Sequence, residues 1–196
     1  MMKVTAFTDH ELIALYLEGN ERAFEELLSR HQQKIYTTVY LFVKDQDLAD
    51  DIFQEVFIKI IDTLRRGKYN HEGKFVQWAM RIAYNMCVEY FRRNTRTQTV
   101  RATIGDDFDL FKVIPISDEN AEDQIMKSQT HTKIRQLVDM LPFEQREVVI
   151  LRHFADMSFK EISGLTRVSI NTSLGRMRYA LINIRRMIEE KEVILQ

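Results

Sequence analysis

Apolar residues recur every three or four positions along most of the chain, a spacing that places them on one face of an α-helix. At the amino end, Thr8 and Glu11 form a capping-box pattern that predicts the start of a first helix, and Gly19 marks its end. Asn20 is positioned to cap a second helix. That helix carries an apolar series at helical spacing, which comprises Phe24, Leu27, Leu28, His31, Ile35 and Val39.

The pattern predicts two further helices in this half of the chain. Asp47 is expected to begin a third helix over about 48–64, and Gly67 marks its end. After a polar loop, a fourth helix is predicted from about Phe75 to Arg93. The stripe predicted to face the core of this helix comprises Phe75, Trp78, Ala79, Ile82, Ala83, Met86 and Tyr90.

The carboxyl half shows a short helix, a tight turn and a longer helix. Pro142 restarts the chain after an apolar helix, with Glu144 and Glu147 in the following first turn. The stretch Ser158-Phe-Lys-Glu161 is a second capping box, and a turn over 166–168 leads to a final helix that Ser169 can cap. This order is typical of a helix-turn-helix. The predicted packed face of the final helix comprises Met177, Ala180, Leu181, Ile184 and Ile188.

Composition and pattern together define the fold class. The sequence has only 6 Gly and 2 Pro, so few residues interrupt helices. We therefore expect an all-α protein of two small helical domains, 8–95 and 118–191, the second with the helix-turn-helix. The intervening segment, 96–117, lacks sustained periodicity and is predicted to be a flexible linker that orders only on a partner.

Charge is distributed unevenly along the chain. The overall formal charge is −1, but residues 75–104 carry five arginines against one glutamate, a net +4. Residues 158–191 also carry a net +4, whereas 105–125 carries a net −6. Two basic blocks separated by an acidic one indicate two surfaces for nucleic acid. The alternative is that these charges only solvate helix faces.

Other features exclude several function classes. The single cysteine, Cys87, allows no internal disulfide and is expected to be a packed thiol. No signal peptide or membrane span is apparent, so we expect a cytoplasmic protein without membrane insertion. The sequence has no phosphate loop, nucleophile elbow or metal-binding motif, and its histidines are scattered. We therefore expect neither an enzyme nor a cofactor.

Three stretches, in order, resemble the extracytoplasmic-function (ECF) sigma factors of the sigma-70 family. Residues 48–57 are similar to the D-x-x-Q-E-x-F core-binding helix, matched by Asp51, Gln54, Glu55 and Phe57. Residues 75–93 resemble the helix for the promoter −10 element. Leu141-Pro-Phe-Glu-Gln-Arg-Glu-Val-Val, Ser158-Phe-Lys-Glu-Ile162 and the final helix resemble the −35 domain. The resemblance covers nearly everything from Asp9 to Ile188.

The resemblance implies an alternative sigma factor that binds core RNA polymerase and directs promoter-specific initiation. Its partners would be the β′ clamp and β subunit of polymerase, promoter DNA and an anti-sigma factor, so the chain would be a monomer or a heterodimer with that factor. The third helix would dock on a β′ coiled coil, with Ile52, Val56 and Phe57 facing inward. The implied polymerase-binding residues are Asp47, Asp51, Gln54 and Glu55.

Two further sets of residues are implied for DNA. The −10 set comprises Lys68, Tyr69, Asn70, Lys74, Gln77, Arg81, Tyr84, Asn85, Arg92 and Arg93. Its mixture of aromatic, amide and arginine side chains suits unpaired bases. The −35 set comprises Asn171, Thr172, Gly175, Arg176, Arg178 and Tyr179.

The chain departs from the family pattern at three positions near the −35 set. Arg167 replaces the usual glycine of the turn, Ser173 replaces a valine, and Leu174 replaces a basic residue.

Two other functions compete with the sigma-factor interpretation. A stand-alone helix-turn-helix regulator would use the amino half as a ligand or dimer module. A metal-dependent hydrolase would use the carboxylates of 47–55, but no His or Cys accompanies them and a straight helix cannot wrap them around an ion.

Overall fold

The computed structural model describes residues 7–70, 73–97 and 136–190, with the side chains of 94–97 left aside. Every regular element in these residues is a helix, and the chain divides into two compact units, Met1–Asp107 and Phe108–Gln196. The predicted all-α fold of two helical units is confirmed. Residues 96 and 97 belong to the fourth helix, while the rest of the predicted linker and the helix expected near Asp118 lie outside the described residues.

The first unit contains the four predicted helices. They are α1 (Asp9–Leu17), α2 (Glu21–Val43), α3 (Gln46–Arg65) and α4 (Phe75–Thr97). The capping box of α1 is confirmed, since the Glu11 carboxylate accepts from the Thr8 backbone N–H at 2.7 Å and the Thr8 hydroxyl accepts from the Glu11 N–H. Asn20 stands at the N-cap of α2, although its side chain makes no capping hydrogen bond.

The start of α3 differs from the prediction. Asp45 is the N-cap, and its carboxylate accepts from the Leu48 backbone N–H at 2.9 Å. Asp47 lies two residues later, in the exposed first turn. Lys44 explains the difference, because it adopts a left-handed conformation (φ 57°) that ends α2 and sets the next residue at the cap. Asp45 and Asp47 are both residue types that can cap a helix. The end of α2 at Lys44 places Asp45 in the cap position.

The core of the first unit draws apolar side chains from all four helices. Fully buried members include Leu12 from α1, Ile35 from α2, Ile60 from α3 and Met80 from α4. Burying one such side chain contributes about 1.5–3 kcal/mol relative to leaving it in water. None of the helices in the described part of the chain is both long enough and apolar enough to span a membrane.

The described part of the second unit begins with four helical residues at 136–139. It continues with α5 (Phe143–Val149), a π-helical turn (Ile150–Phe154), α6 (Phe159–Thr166) and α7 (Ile170–Glu190). The Arg152 guanidinium donates to the Met157 carbonyl at 2.9 Å and supports the segment that leads into α6. The core includes Leu137, Val138, Leu141, Val148, Ile150, Leu151, Met157, Ile162 and Ala180.

The packed face of α7 is only partly as predicted. Met177 and Ala180 are buried and Ile184 and Ile188 half-buried, but Leu181 is 54% exposed. Ser173 and Met187 are buried in addition. The short α5 and α6 cover a narrow side of α7, so the apolar positions at its edge stay in water. Helical periodicity alone does not measure the width of that contact.

Ser173 is fully buried, and its hydroxyl has no hydrogen-bond partner among the described residues. It stands where the sigma-70 pattern usually has a valine. An unsatisfied buried hydroxyl is destabilising, so Ser173→Ala should raise the free energy of unfolding by about 1 kcal/mol. Urea denaturation measures this difference.

Ser163→Ala is the matched control for the Ser173 prediction. Ser163 lies in α6, and its hydroxyl donates to the Lys160 carbonyl at 2.9 Å. Both substitutions gain the same helix propensity, but only the control removes a hydrogen bond. Equal stabilisation at the two positions would mean that the Ser173 hydroxyl carries no burial penalty.

Candidate nucleic-acid and partner interfaces

The outer side of α3 is an acidic face, defined as Asp47, Asp51, Gln54 and Glu55. All four are exposed, while Ile52 and Val56 on the opposite side are buried. Each was expected to be exposed, and this placement is confirmed. Phe57 was expected to face inward and is half-buried, with its ring 4.8 Å from that of Phe53.

Two neighbours delimit the acidic face. Asp50 is turned toward α2, where it hydrogen-bonds Tyr36, and burial together with this bond raises the pKa of the Tyr36 hydroxyl. Ile58 lies one turn beyond Gln54 and Glu55 and is 67% exposed. Among the described residues, no three His, Cys, Asp or Glu side chains are arranged to hold a metal ion. The acidic face is therefore a flat polar strip with an apolar residue at its end.

Tyr69, in the described part of the loop between α3 and α4, packs against aromatic rings of α4. The Tyr69 ring lies 4.4 Å from Trp78 and 6.1 Å from Phe75, measured between centroids. Phe75 is buried and also contacts the ring of His31, at 5.6 Å. Trp78 was predicted to face the core, and it is half-buried within this aromatic cluster. Three predicted −10 residues of this region, Lys68, Asn70 and Lys74, remain exposed around this cluster, and His71 lies outside the described residues.

The buried side of α4 is rotated relative to the predicted stripe. Met80, Tyr84 and Cys87 are buried, whereas Ile82 and Met86 are only half-buried. The reason is that α4 contacts both α2 and α3, so its buried side is set by two neighbours. Cys87 is the packed thiol that was expected, and burial raises its pKa to about 12.

Tyr84 corrects the predicted −10 set. It was expected opposite the buried stripe, but its side chain is 6% exposed and its ring lies 5.5 Å from Phe42 of α2. A ring in that position cannot stack on a DNA base without leaving the core. The prediction that Tyr84 lies on the exposed side is therefore wrong.

The exposed side of α4 still carries much of the predicted set. Arg81, Asn85 and Arg92 are exposed at spacings of four and seven residues, which places them on one side of the helix. Arg93 is exposed and pairs with Glu89 one turn earlier, while Gln77 is half-buried. We define Arg81, Asn85 and Arg92 as the arginine–asparagine face.

The second unit contains the predicted helix-turn-helix. Ser158 and Glu161 form the capping box of α6, with the Glu161 carboxylate accepting from the Ser158 N–H at 2.8 Å. Ser169 caps α7 by accepting from the Thr172 N–H at 3.0 Å. Arg167 occupies the left-handed conformation (φ 58°) that ends α6. The conformation accounts for the glycine that the family usually has here, because glycine adopts positive φ without strain, whereas arginine adopts it at a cost of about 1 kcal/mol.

The predicted −35 residues divide into two groups on α7. Asn171, Thr172, Arg178 and Tyr179 are exposed, and Tyr179 is 62% exposed. Gly175 is half-buried, and no side chain of the described residues lies within 4 Å of the position that a β-carbon would take. Leu174 is 43% exposed beside this group, so an aliphatic side chain stands where the family usually has a basic one.

Arg176 forms the second group alone. Its guanidinium lies 3.4 Å from the Glu147 carboxylate of α5, and its side chain is only 25% exposed. The sequence predicted Glu147 in the first turn of a helix, but it lies beyond the first turn of α5 and is 5% exposed. The sequence offered no signal for this pair, because the two residues are separated by 29 positions.

Comparison with known proteins places both units in one family. The sequence model of Sigma-70 region 2 matches residues 27–97, and that of Sigma-70, region 4 matches residues 131–175. Together these matches cover more than half of the chain. The first covers most of α2 and all of α3 and α4, and the second covers α5, α6 and the first six residues of α7.

Full-length relatives define the class within the family. The chain is 26% identical over 176 residues to the RNA polymerase sigma-H factor of Pseudomonas aeruginosa, covering 89% of this chain and 90% of that protein. It is 25% identical over 187 residues to the ECF RNA polymerase sigma-E factor of Escherichia coli K12, covering 94% of each.

Two solved structures share the fold. CnrH in complex with the cytosolic domain of CnrY matches with a TM-score of 0.61 and 20% identity, over 93% of this chain and 97% of that one. The sigma factor RpoE in complex with the anti-sigma factor NepR from Bartonella quintana matches with a TM-score of 0.62 and 14% identity, over 85% of this chain and 96% of that one.

These findings confirm the resemblance seen in the sequence. The chain belongs to the ECF class of the sigma-70 family. It is an alternative sigma factor that directs transcription initiation.

Proposed function

We propose that this sigma factor uses three separate surfaces. The acidic face of α3 binds polymerase, the arginine–asparagine face of α4 binds melted −10 DNA, and α7 binds the −35 duplex. The observation that carries the proposal is the separation of opposite charge on consecutive helices of one unit. Asp51 and Glu55 are exposed on α3, while Arg81 and Arg92 are exposed on α4. A protein partner and DNA would thus meet different sides of the same small unit.

The acidic face suits a basic helical partner such as the coiled coil of the β′ clamp. Carboxylates and an amide spaced at three and four residues present a continuous polar strip to basic side chains. Complementary charge would mainly set the orientation and rate of association. Ile58, exposed at the end of the strip, adds apolar area at the edge of the same surface. Contacts to the β subunit complete the proposed holoenzyme.

The arginine–asparagine face suits DNA whose bases have left the stack. Asn85 can hydrogen-bond a base edge, and Arg81 and Arg92 can bind phosphates or guanine. The adjacent loop offers Lys68, Asn70 and Lys74 around the Tyr69–Trp78 packing. A loop fixed by such packing is suited to forming a preorganised pocket for a flipped base. Tyr84 is omitted from the proposed −10 set because it is buried.

The helix-turn-helix suits −35 duplex. Residues at the start of a recognition helix reach base edges in the major groove, and Asn171, Thr172 and Arg178 lie exposed in the first half of α7. Tyr179 adds an exposed aromatic ring beside them. We assign these residues to the −35 element and propose that the domains extend over 8–97 and 118–191, since the fourth helix continues to Thr97.

Regulation and cellular context follow from the family. Both structural neighbours named above are complexes, and the second is by name a complex with an anti-sigma factor. We propose that an anti-sigma factor likewise binds this chain, which would alternate between a free monomer and a heterodimer. The protein would act in the cytoplasm beside RNA polymerase, as a specificity factor rather than an enzyme.

A run-off transcription assay with purified core polymerase tests the function. The full chain should convert core enzyme, which lacks promoter specificity, into an enzyme that starts at defined −35/−10 promoters. Omitting the chain is the baseline, and a template with a scrambled −35 element is the specificity control. A chain that binds promoter DNA without core polymerase and gives no specific transcript with it would instead be a stand-alone helix-turn-helix regulator.

A further inference from the structure

Two side-chain pairs join α5 to α7 along one flank of the packed face. The Arg176 guanidinium lies 3.4 Å from the Glu147 carboxylate, and the Asn183 amide donates to Gln145 at 2.8 Å. Arg176 and Asn183 are seven residues apart, which is about two helical turns and therefore the same side of α7. The two pairs form a polar seam between the helices.

Arg176 belongs to the packed side of α7 by position. It follows Ser173 by three residues and precedes Ala180 by four, and both of these are fully buried. Arg178, by contrast, is exposed two residues later, on another side of the helix. The direction of the Arg176 side chain thus agrees with its partner on α5 and not with the DNA-facing group.

We infer that Arg176 is a positioning residue: its ion pair with buried Glu147 fixes the recognition helix on α5, and it does not read the −35 bases. This inference rests on the proposed −35 function of α7. It replaces the base contact that the sequence pattern predicted for Arg176, and it leaves direct reading to Asn171, Thr172 and Arg178.

The burial of Glu147 makes its ion pair with Arg176 important for the position of α7. A carboxylate that is 5% exposed is poorly hydrated, so it needs cationic or hydrogen-bonding partners within the protein. Removing one member of a buried pair leaves the other charge uncompensated, whereas replacing both by apolar residues is often tolerated. A recognition helix that shifts by even a fraction of its diameter misplaces every base contact it makes. The ion pair should therefore affect DNA binding without touching DNA.

Three variants of the full chain, each assembled with core polymerase, test the inference. Arg176→Ala should lower the Tm of the free chain by about 5–10 °C, as expected when a buried pair is broken in a small unit. At a temperature well below that Tm, it should weaken −35-dependent binding of the holoenzyme by about tenfold. Glu147→Gln should act in the same direction on both quantities, because it breaks the same pair.

The third variant distinguishes positioning from reading. Arg176→Met combined with Glu147→Met replaces the ion pair by apolar packing and should restore both the Tm and the −35-dependent affinity. Arg178→Ala is the reference for a reading residue: it should lose −35-dependent affinity while the Tm stays unchanged. Mobility shifts on duplexes with an intact and a scrambled −35 element measure the affinities.

Several results would overturn the inference. If the double methionine variant regains its Tm but not its −35 affinity, Arg176 reads DNA. Tighter −35 binding by Glu147→Gln would lead to the same conclusion, since the change would have released Arg176 to the DNA. If Arg176→Ala lowers the Tm and leaves affinity unchanged, the pair is structural only. A wild-type holoenzyme that ignores the −35 element would instead refute the proposed function, and the Tm values alone would then decide whether the ion pair holds α7.

Discussion

Replacing both Asp51 and Glu55 by lysine should abolish assembly of the holoenzyme. Both carboxylates are exposed on α3, and the proposed partner surface is basic. Charge reversal places like charges in contact, so affinity for core polymerase should fall at least about a hundredfold, ~3 kcal/mol. The helix itself should persist, because lysine is a good helix former and neither position faces the core. Native gel assembly with core enzyme measures binding, and circular dichroism measures helical content.

The matched control reverses two other exposed carboxylates in the same unit. Glu18 follows α1 and Glu25 lies on α2, and replacing both by lysine changes the net charge by the same amount. This control should assemble like the wild-type chain. Equal losses in the two double variants would indicate a general effect of charge, and undiminished assembly by the Asp51 and Glu55 variant would falsify the docking surface.

Asn85→Ala should impair opening of the promoter while leaving its closed recognition intact. Asn85 is exposed on α4 and can reach a Watson–Crick edge only after a base leaves the duplex. Loss of one such contact should slow formation of the open complex by about tenfold, ~1.4 kcal/mol. Permanganate footprinting of unpaired thymines reports opening, and a mobility shift with closed duplex reports the first binding step.

A premelted −10 bubble supplies the internal control for this second result. It should rescue much of the Asn85→Ala defect, because the energetic cost of unpairing is already met. Gln32→Ala on α2 removes an exposed amide of a neighbouring helix and should behave like the wild-type chain. If Asn85→Ala instead weakens closed binding as much as Arg178→Ala does, the proposed assignment of −10 opening to α4 and −35 binding to α7 is wrong.

Local sequence was sufficient for the order of the helices and for most of their ends. The capping boxes at Thr8 and Ser158 are each formed within four residues of chain, so their hydrogen bonds depend on little else. The exposed acidic face of α3 was predictable for a related reason. One helical repeat fixes which residues share a side with buried Ile52 and Val56 and which lie opposite. The contact of that face with polymerase stays a prediction.

Tertiary structure decided the features that depend on a second helix. Tyr84 is buried because α2 brings Phe42 against it, and Leu181 is exposed because it points away from the narrow side of α7 that carries buried Met177 and Ala180. The sequence predicted Glu147 as a first-turn carboxylate and Arg176 as a DNA-binding residue, but α5 and α7 bring the two side chains to 3.4 Å. Periodicity reports how residues are arranged around one helix axis. The direction, width and chemistry of the surface that meets that helix come from residues far away in the chain, and only the packed structure brings them together.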